Sequence, residues 1–210
     1  MTDTLFDGLG RHVSASLPWM SWNLLLALMP WALAVWAFRE GQPIRRSTLA
    51  AAALSVVFLP NAAYVLTDVV HLPRHIRAEP SDTVVLAGVL PLFGAFMAVG
   101  FVAYLDTVRR IAGWVRSGEW SKRAWPIELL LHAVSTVGIY LGRVHRFNSW
   151  DLALRPDEIA STVLGAFTRS LPVAGMVITF LVLVVGDATF RAVRRGIEGR
   201  FASLRVRVAR

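Results

Sequence analysis

The alternation of apolar and charged positions divides the chain into five long greasy segments. A helix crosses a bilayer core with about 20 apolar residues. No full charge occurs between Arg11 and Arg39, between Arg46 and Asp68, or between Asp82 and Asp106. These gaps predict membrane helices over about 18–38, 47–72 and 83–105. The charge-free runs between Glu128 and Arg143 and between Arg169 and Asp187 predict two more, over about 124–145 and 170–190. Glu128 and Arg143 bracket the fourth helix, so each must reach an interface or face protein. The connections are short and no internal repeat is evident. The expected architecture is an all-α membrane protein, one integral membrane domain over residues 1–210 with about five transmembrane helices plus short interfacial helices.

Two segments read as interfacial. Arg155-Pro-Asp-Glu158 is a helix start, with Pro156 at the first position and acids in the first turn. Ile159, Val163 and Phe167 then recur on one face, which suits a helix lying on the membrane surface. Residues 190–210 place Phe190, Val193, Ile197, Phe201, Leu204 and Val208 at helical spacing among arginines. That predicts a basic amphipathic cytoplasmic tail drawn to anionic lipid. A solvated basic tail is the alternative.

Composition supports the membrane class. The 210 residues are 55% hydrophobic and only 17% charged, and mean hydropathy is +0.53. Without cysteine there are no disulfides or thiolate metal sites. The acidic start, Met-Thr-Asp-Thr-Leu-Phe-Asp, lacks the basic opening of a secretion signal, so no cleavable leader is expected.

The net charge of +8 points to loops and anionic headgroups, and no nucleic-acid partner is expected. The basic residues outside the five spans divide unevenly. Arg11, Arg74, Arg77, Arg146, Arg155 and Arg169 fall on one side, and fifteen fall on the other, from loops one and three and the C-terminal tail. The positive-inside bias then places the C-terminus in the cytoplasm and the N-terminus outside, in the inner (plasma) membrane.

The second helix carries polar groups that lipid would not tolerate. In Phe58-Leu-Pro-Asn-Ala-Ala-Tyr-Val-Leu-Thr-Asp-Val-Val-His71, a pitch of roughly 100° per residue brings Asn61, Tyr64, Asp68 and His71 within roughly 80° of one another. Pro60 removes a backbone hydrogen bond beside that stripe. The expected orientation carries Asp68 and His71 to the extracytoplasmic side. Trp19, Trp22 and Asn23 of helix one, and Tyr140 and Arg143 of helix four, reach the same layer. Arg143 is the expected partner of Asp68, because either charge alone near hydrocarbon is costly. Asn148-Ser149 before Trp150-Asp151 reads as a turn with Trp150 at headgroup depth.

Asp68 with His71 is half of a metal site, and His75 or His145 are candidate third ligands. Two ligands do not make a site, and Pro73 is expected to break the helix before His75, so no metal is assigned. A second group, Asp106, Glu128, His132 and Asp187, lies toward the cytoplasm. There only His132 is expected to be buried, with Glu128 and Asp187 at the headgroups.

Trp22-Asn23, the helix-two run through Leu72, and Tyr140-Leu-Gly-Arg-Val-His-Arg-Phe-Asn-Ser-Trp-Asp151 together resemble a bacterial membrane-protein family called domain of unknown function 1361. The resemblance implies signature positions at Asn61, Tyr64, Asp68, His71, Arg143, Arg146, Asn148 and Asp151. Ala63 stands where the family pattern commonly has proline. No activity or cofactor comes with the resemblance.

Three functions fit these residues. The first is a site that binds or modifies an anionic lipid-linked or envelope substrate. There Asp68 or His71 would act as base or acid, Arg143 and Arg146 would hold the anionic group, and Asn61, Tyr64, Asn148 and Asp151 would complete the binding surface. The second is a scaffold or accessory subunit whose polar residues lock helices together. The third is a small ion or solute transporter, with Asp68, His132 and Glu128 marking a route.

Overall fold

The computed structural model describes residues 2–39, 45–116 and 124–208. Lys122, Arg123 and Arg210 lie outside them, as do the side chains of Phe201, Leu204 and Val208. Among the described residues all regular structure is helical. The elements are α1 (Thr2–Ala37), α2 (Arg46–Tyr64), α3 (Leu72–Ala78), α4 (Asp82–Val84), α5 (Leu90–Arg116), α6 (Ala124–Val144), α7 (Asp151–Leu154), α8 (Pro156–Phe167) and α9 (Ser170–Val208). A 3₁₀ segment, Val65–His71, joins α2 to α3, and a π segment, Val85–Val89, joins α4 to α5.

Five helical stretches are long and apolar enough to cross a membrane: Gly10–Ala37, Arg46–Ala78, Asp82–Arg116, Ala124–Val144 and Ser170–Arg200. They overlap the expected spans: the second, third and fifth enclose theirs, while the first ends at Ala37 and the fourth at Val144, each one residue short. The second does not stop at Pro73. That proline sits in the first turn of α3, directly after the 3₁₀ segment, and the chain stays helical to Ala78. The fifth continues unbroken through the basic tail to Val208.

Helix α2 is the central element, with α1, α5 and α6 packed around it. Lipid tails are as apolar as leucine, so membrane helices associate through close packing of small residues and polar contacts. Ala27, Ala62 and Ala63 are fully buried at these crossings. Gly138 of α6 lies against Pro60 of α2, and a Cβ there would come within 2.5 Å of the proline ring. On another side of the same helix, Gly100 of α5 meets Val65, and a Cβ would lie 2.9 Å from it. The two glycines let α5 and α6 approach the segment that carries the polar stripe. Helix α9 packs on α6 and α8 and leaves Leu171, Ile178, Val182 and Val185 exposed.

The 3₁₀ turn has a local cause. Thr67 donates its hydroxyl to the Tyr64 carbonyl at 2.6 Å, three residues back, in competition with the α-helical ladder at that carbonyl. Seven residues then wind more tightly than an α-helix.

Candidate functional site

Overwinding redistributes the polar stripe. At about 120° per residue, Asp68 and His71 superpose and swing roughly 120° away from Tyr64. The four residues expected on one face therefore serve three surroundings. Asn61 and Tyr64 line one cavity, Asp68 is buried between helices, and His71 lines a second cavity.

Asp68 is 1% exposed and meets the expected partner: Arg143 Nη2 donates to its Oδ1 at 2.8 Å. Asn23 Nδ2 of α1 donates to Oδ2 at 3.3 Å, and His71 Nε2 lies 3.8 Å from Oδ1. Arg143 also donates to Thr67 Oγ1, and its guanidinium stacks over the Tyr64 ring at 4.2 Å. The central carboxylate is thus held from α1, α6 and its own helix at once.

Beyond α6 the chain doubles back over α2. Arg146 turns it with φ 59°, the left-handed region that glycine normally fills, and Phe147 N–H returns to the Leu141 carbonyl at 3.2 Å. Asn61 donates to Ser149 Oγ at 3.1 Å, pinning this loop to helix two. Asp151 closes the loop from within, accepting from Asn148 N–H at 2.7 Å and lying 3.0 Å from Arg155. The Asn148 N–H and the Arg155 guanidinium hold the Asp151 carboxyl below its ordinary value. Asp151 is therefore engaged by the turn itself, and Asn148 serves both as its partner and as cavity wall.

The first cavity, about 810 Å³, lies between α1, α2, α6 and α8. Its floor is apolar, from Leu26, Val56, Val57, Val134 and Val137. Its upper wall is polar, from Asn23, Asn61, Tyr64, Arg146, Asn148 and Ser149. Along α6 it extends from Gly142 to Ala133, about 14 Å at 1.5 Å per residue. The second cavity, about 670 Å³, is lined by Arg11, His12, Trp19, His71, Arg74, His75 and Glu79. Asn23 borders both. Sequence reasoning missed His12, Thr67 and Glu79. The signal at Thr67 was its place beside Asp68; nothing in the sequence linked His12 to Glu79. Burial raises the Glu79 carboxyl, but hydrogen bonds from His12 and the Ser81 N–H, with the His12 and Arg11 charges, outweigh it and leave the group below its ordinary value.

His145 bonds Tyr140 at 3.0 Å, away from His71. Among the described residues no group of three or more His, Asp or Glu is placed to hold a metal ion.

A family model described as Protein of unknown function (DUF1361) matches residues 22–185. The chain belongs to this family. No curated protein and no solved structure matches it. The family match takes in Asn23, the whole stripe from Asn61 to His71, and the returning loop through Asp151. Arg11 and His12 precede it, and Asp187 and Arg191 follow it. Ala63 is fully buried among the packed helices.

The opposite end of the bundle holds a second polar centre. Tyr104 Oη and His132 Nδ1 are 2.6 Å apart, and His132 Nε2 lies 3.4 Å from Asp187. Arg191 joins Asp187 at 2.9 Å to Glu128 at 2.7 Å, and Arg116 reaches Glu128 at 2.8 Å. Glu128, His132 and Asp187 are exposed by 3%, 1% and 1%. The expectation that only His132 is buried is overturned: two arginines lie across the carboxylates, so both acids sit inside protein. Asp106 is tied separately, to Trp31 at 3.0 Å and Arg110 at 2.7 Å.

Proposed function

We propose that the cavity between α1, α2, α6 and α8 binds an anionic lipid-linked or envelope substrate, chain downward, with its charged group at the rim. The observation that carries this reading is Arg146. A non-glycine residue in the left-handed region costs about 1–2 kcal/mol, and Arg146 is the one described non-glycine residue with positive φ. An arginine kept there, lining a cavity, is a strained residue whose side chain matters. The other features suit the same ligand. A volume near 810 Å³ is in the range of small-molecule sites. A reach of about 14 Å is about half of a bilayer core some 30 Å thick, the depth of one leaflet. Arg146 would pair with phosphate, while Asn61, Tyr64, Asn148 and Ser149 would orient it. In this reading Asp68 is a positioning residue that fixes Arg143 under Tyr64. His71 stands at the neighbouring cavity.

The concentration of Arg109, Arg110, Arg116, Arg191, Arg194 and Arg195 at the opposite end supports a cytoplasmic placement of that end, with the cavity rim facing outward in a bacterial inner membrane. The basic continuation of α9 would meet anionic headgroups there.

One observation favours a scaffold instead: Asp68 is fully enclosed and fully engaged. Arg146→Gly separates the two readings. Glycine relieves the left-handed strain, so the melting temperature should hold or rise. Retention of anionic lipid by the purified protein, read by native mass spectrometry, should fall at least tenfold. Unchanged lipid retention in the glycine variant would favour the scaffold.

A further inference from the structure

The second cavity has a wall that the lipid reading leaves unused. Glu79 has a side chain only 4% exposed. Its Oε2 is 2.9 Å from His12 Nε2, and His12 Nδ1 is 3.3 Å from His75 Nδ1. The carboxylate comes from the turn after α3, one imidazole from α1 and the other from α3, so tertiary packing builds the row. Trp19 backs it, packing against both His71 and Phe93, while Phe93 also meets His75.

The carboxylate sets one end of the row. An ionised carboxylate only accepts, so His12 presents Nε2–H to Glu79. In the form with both rings neutral, His12 offers a lone pair at Nδ1 and His75 supplies the proton of that bond. Nε2 of His75 is left as an acceptor on a residue that lines the cavity. Arg11 and Arg74 border the same space, which gives it a net positive balance over the single Glu79 carboxylate.

We infer that this cavity is a second binding site, for a phosphate-class anion that still carries an O–H. The two arginines attract the charge, and His75 Nε2 accepts the ligand's proton in a hydrogen bond. Such a site distinguishes phosphate from sulfate. Inorganic phosphate keeps a proton at neutral pH and sulfate does not, so sulfate would set its oxygens against the lone pair of His75. The same chemistry fits soluble phosphate or the monoester headgroup of a lipid. This inference stands without the lipid-cavity reading, because the two spaces share only Asn23 among their lining residues.

The test is calorimetric titration of the full chain in phosphatidylcholine nanodiscs, whose diester headgroups carry no acidic proton. Inorganic phosphate should bind saturably, and sulfate at least tenfold more weakly. The exposed Arg74→Gln should weaken both anions. Glu79→Gln, which releases the His12 tautomer, should narrow the preference for phosphate. Arg146→Gly, at the other cavity, should leave phosphate binding unchanged. Repeating the titration with phosphatidic acid in the disc assigns the source. Loss of phosphate binding there identifies a lipid monoester as the occupant, and unchanged binding identifies a soluble one. The inference is overturned if the wild type shows no saturable phosphate binding, if sulfate binds as tightly, or if Arg74→Gln has no effect.

Discussion

Arg143→Ala should lower the free energy of unfolding in mixed micelles by about 3–5 kcal/mol, the cost of leaving a buried charge without its partner. Asp68 is 1% exposed and receives its shortest contact, 2.8 Å, from Arg143. Alanine there strips the carboxylate of its only counter-charge within hydrogen-bond range and leaves Asn23 at 3.3 Å. An interhelical hydrogen bond in a membrane contributes about 0.6 kcal/mol on average, and the Asn23 contact is long at 3.3 Å, so Asn23→Ala should be several times milder. Adding Asp68→Asn to Arg143→Ala should recover most of the loss, since the stranded charge is gone. If Arg143→Ala alone costs under about 1 kcal/mol, or the second substitution restores nothing, Asp68 is not held as an ion.

The other large effect belongs to Arg191. It bridges Glu128 at 2.7 Å and Asp187 at 2.9 Å, and both carboxylates are at most 3% exposed. Arg191→Ala leaves Glu128 with Arg116 at 2.8 Å, but leaves Asp187 with His132 at 3.4 Å and the more distant charge of Arg109. The arginine itself is 31% exposed, so solvent screens part of its effect, and a loss near the lower end of about 3–5 kcal/mol is expected. Asp187→Asn in the same chain should restore stability, whereas Glu128→Gln should restore less. Because this centre encloses no described cavity, neither change should alter lipid retention. A fall in lipid binding without a fall in melting temperature would give the centre a role that its burial does not suggest.

Much of this was legible in the sequence, for identifiable reasons. The spans follow from charge-free runs, since one unpaired charge in hydrocarbon outweighs several leucines. The Asp68–Arg143 pair follows from the same cost. What escaped was geometry that depends on winding. The stripe from Asn61 to His71 was placed with an α-helical pitch, and the 3₁₀ turn after Tyr64 spread it over two cavities and a buried pair. Pro73 looked like a breaker and is instead a first-turn residue of a continuing helix. At the other end, Glu128 with His132 and Asp187 with Arg191 each stand four apart. Residues four apart share a helix face, but that spacing does not say that the two faces meet. The row of Glu79, His12 and His75 joins residues more than sixty positions apart, and no local pattern announces it.

Occupancy of the α1–α2–α6–α8 cavity can be read directly with a photoreactive acyl phosphate carrying its diazirine midway along the chain. Crosslinked to the full chain in nanodiscs and mapped by peptide sequencing, it should label Val57, Val137 and Leu141, and that labelling should fall in Arg146→Gly. Labels confined to Ile178, Val182 and Val185, on the exposed face of α9, would mean that the probe met the protein only as bulk lipid and that the cavity holds no such ligand.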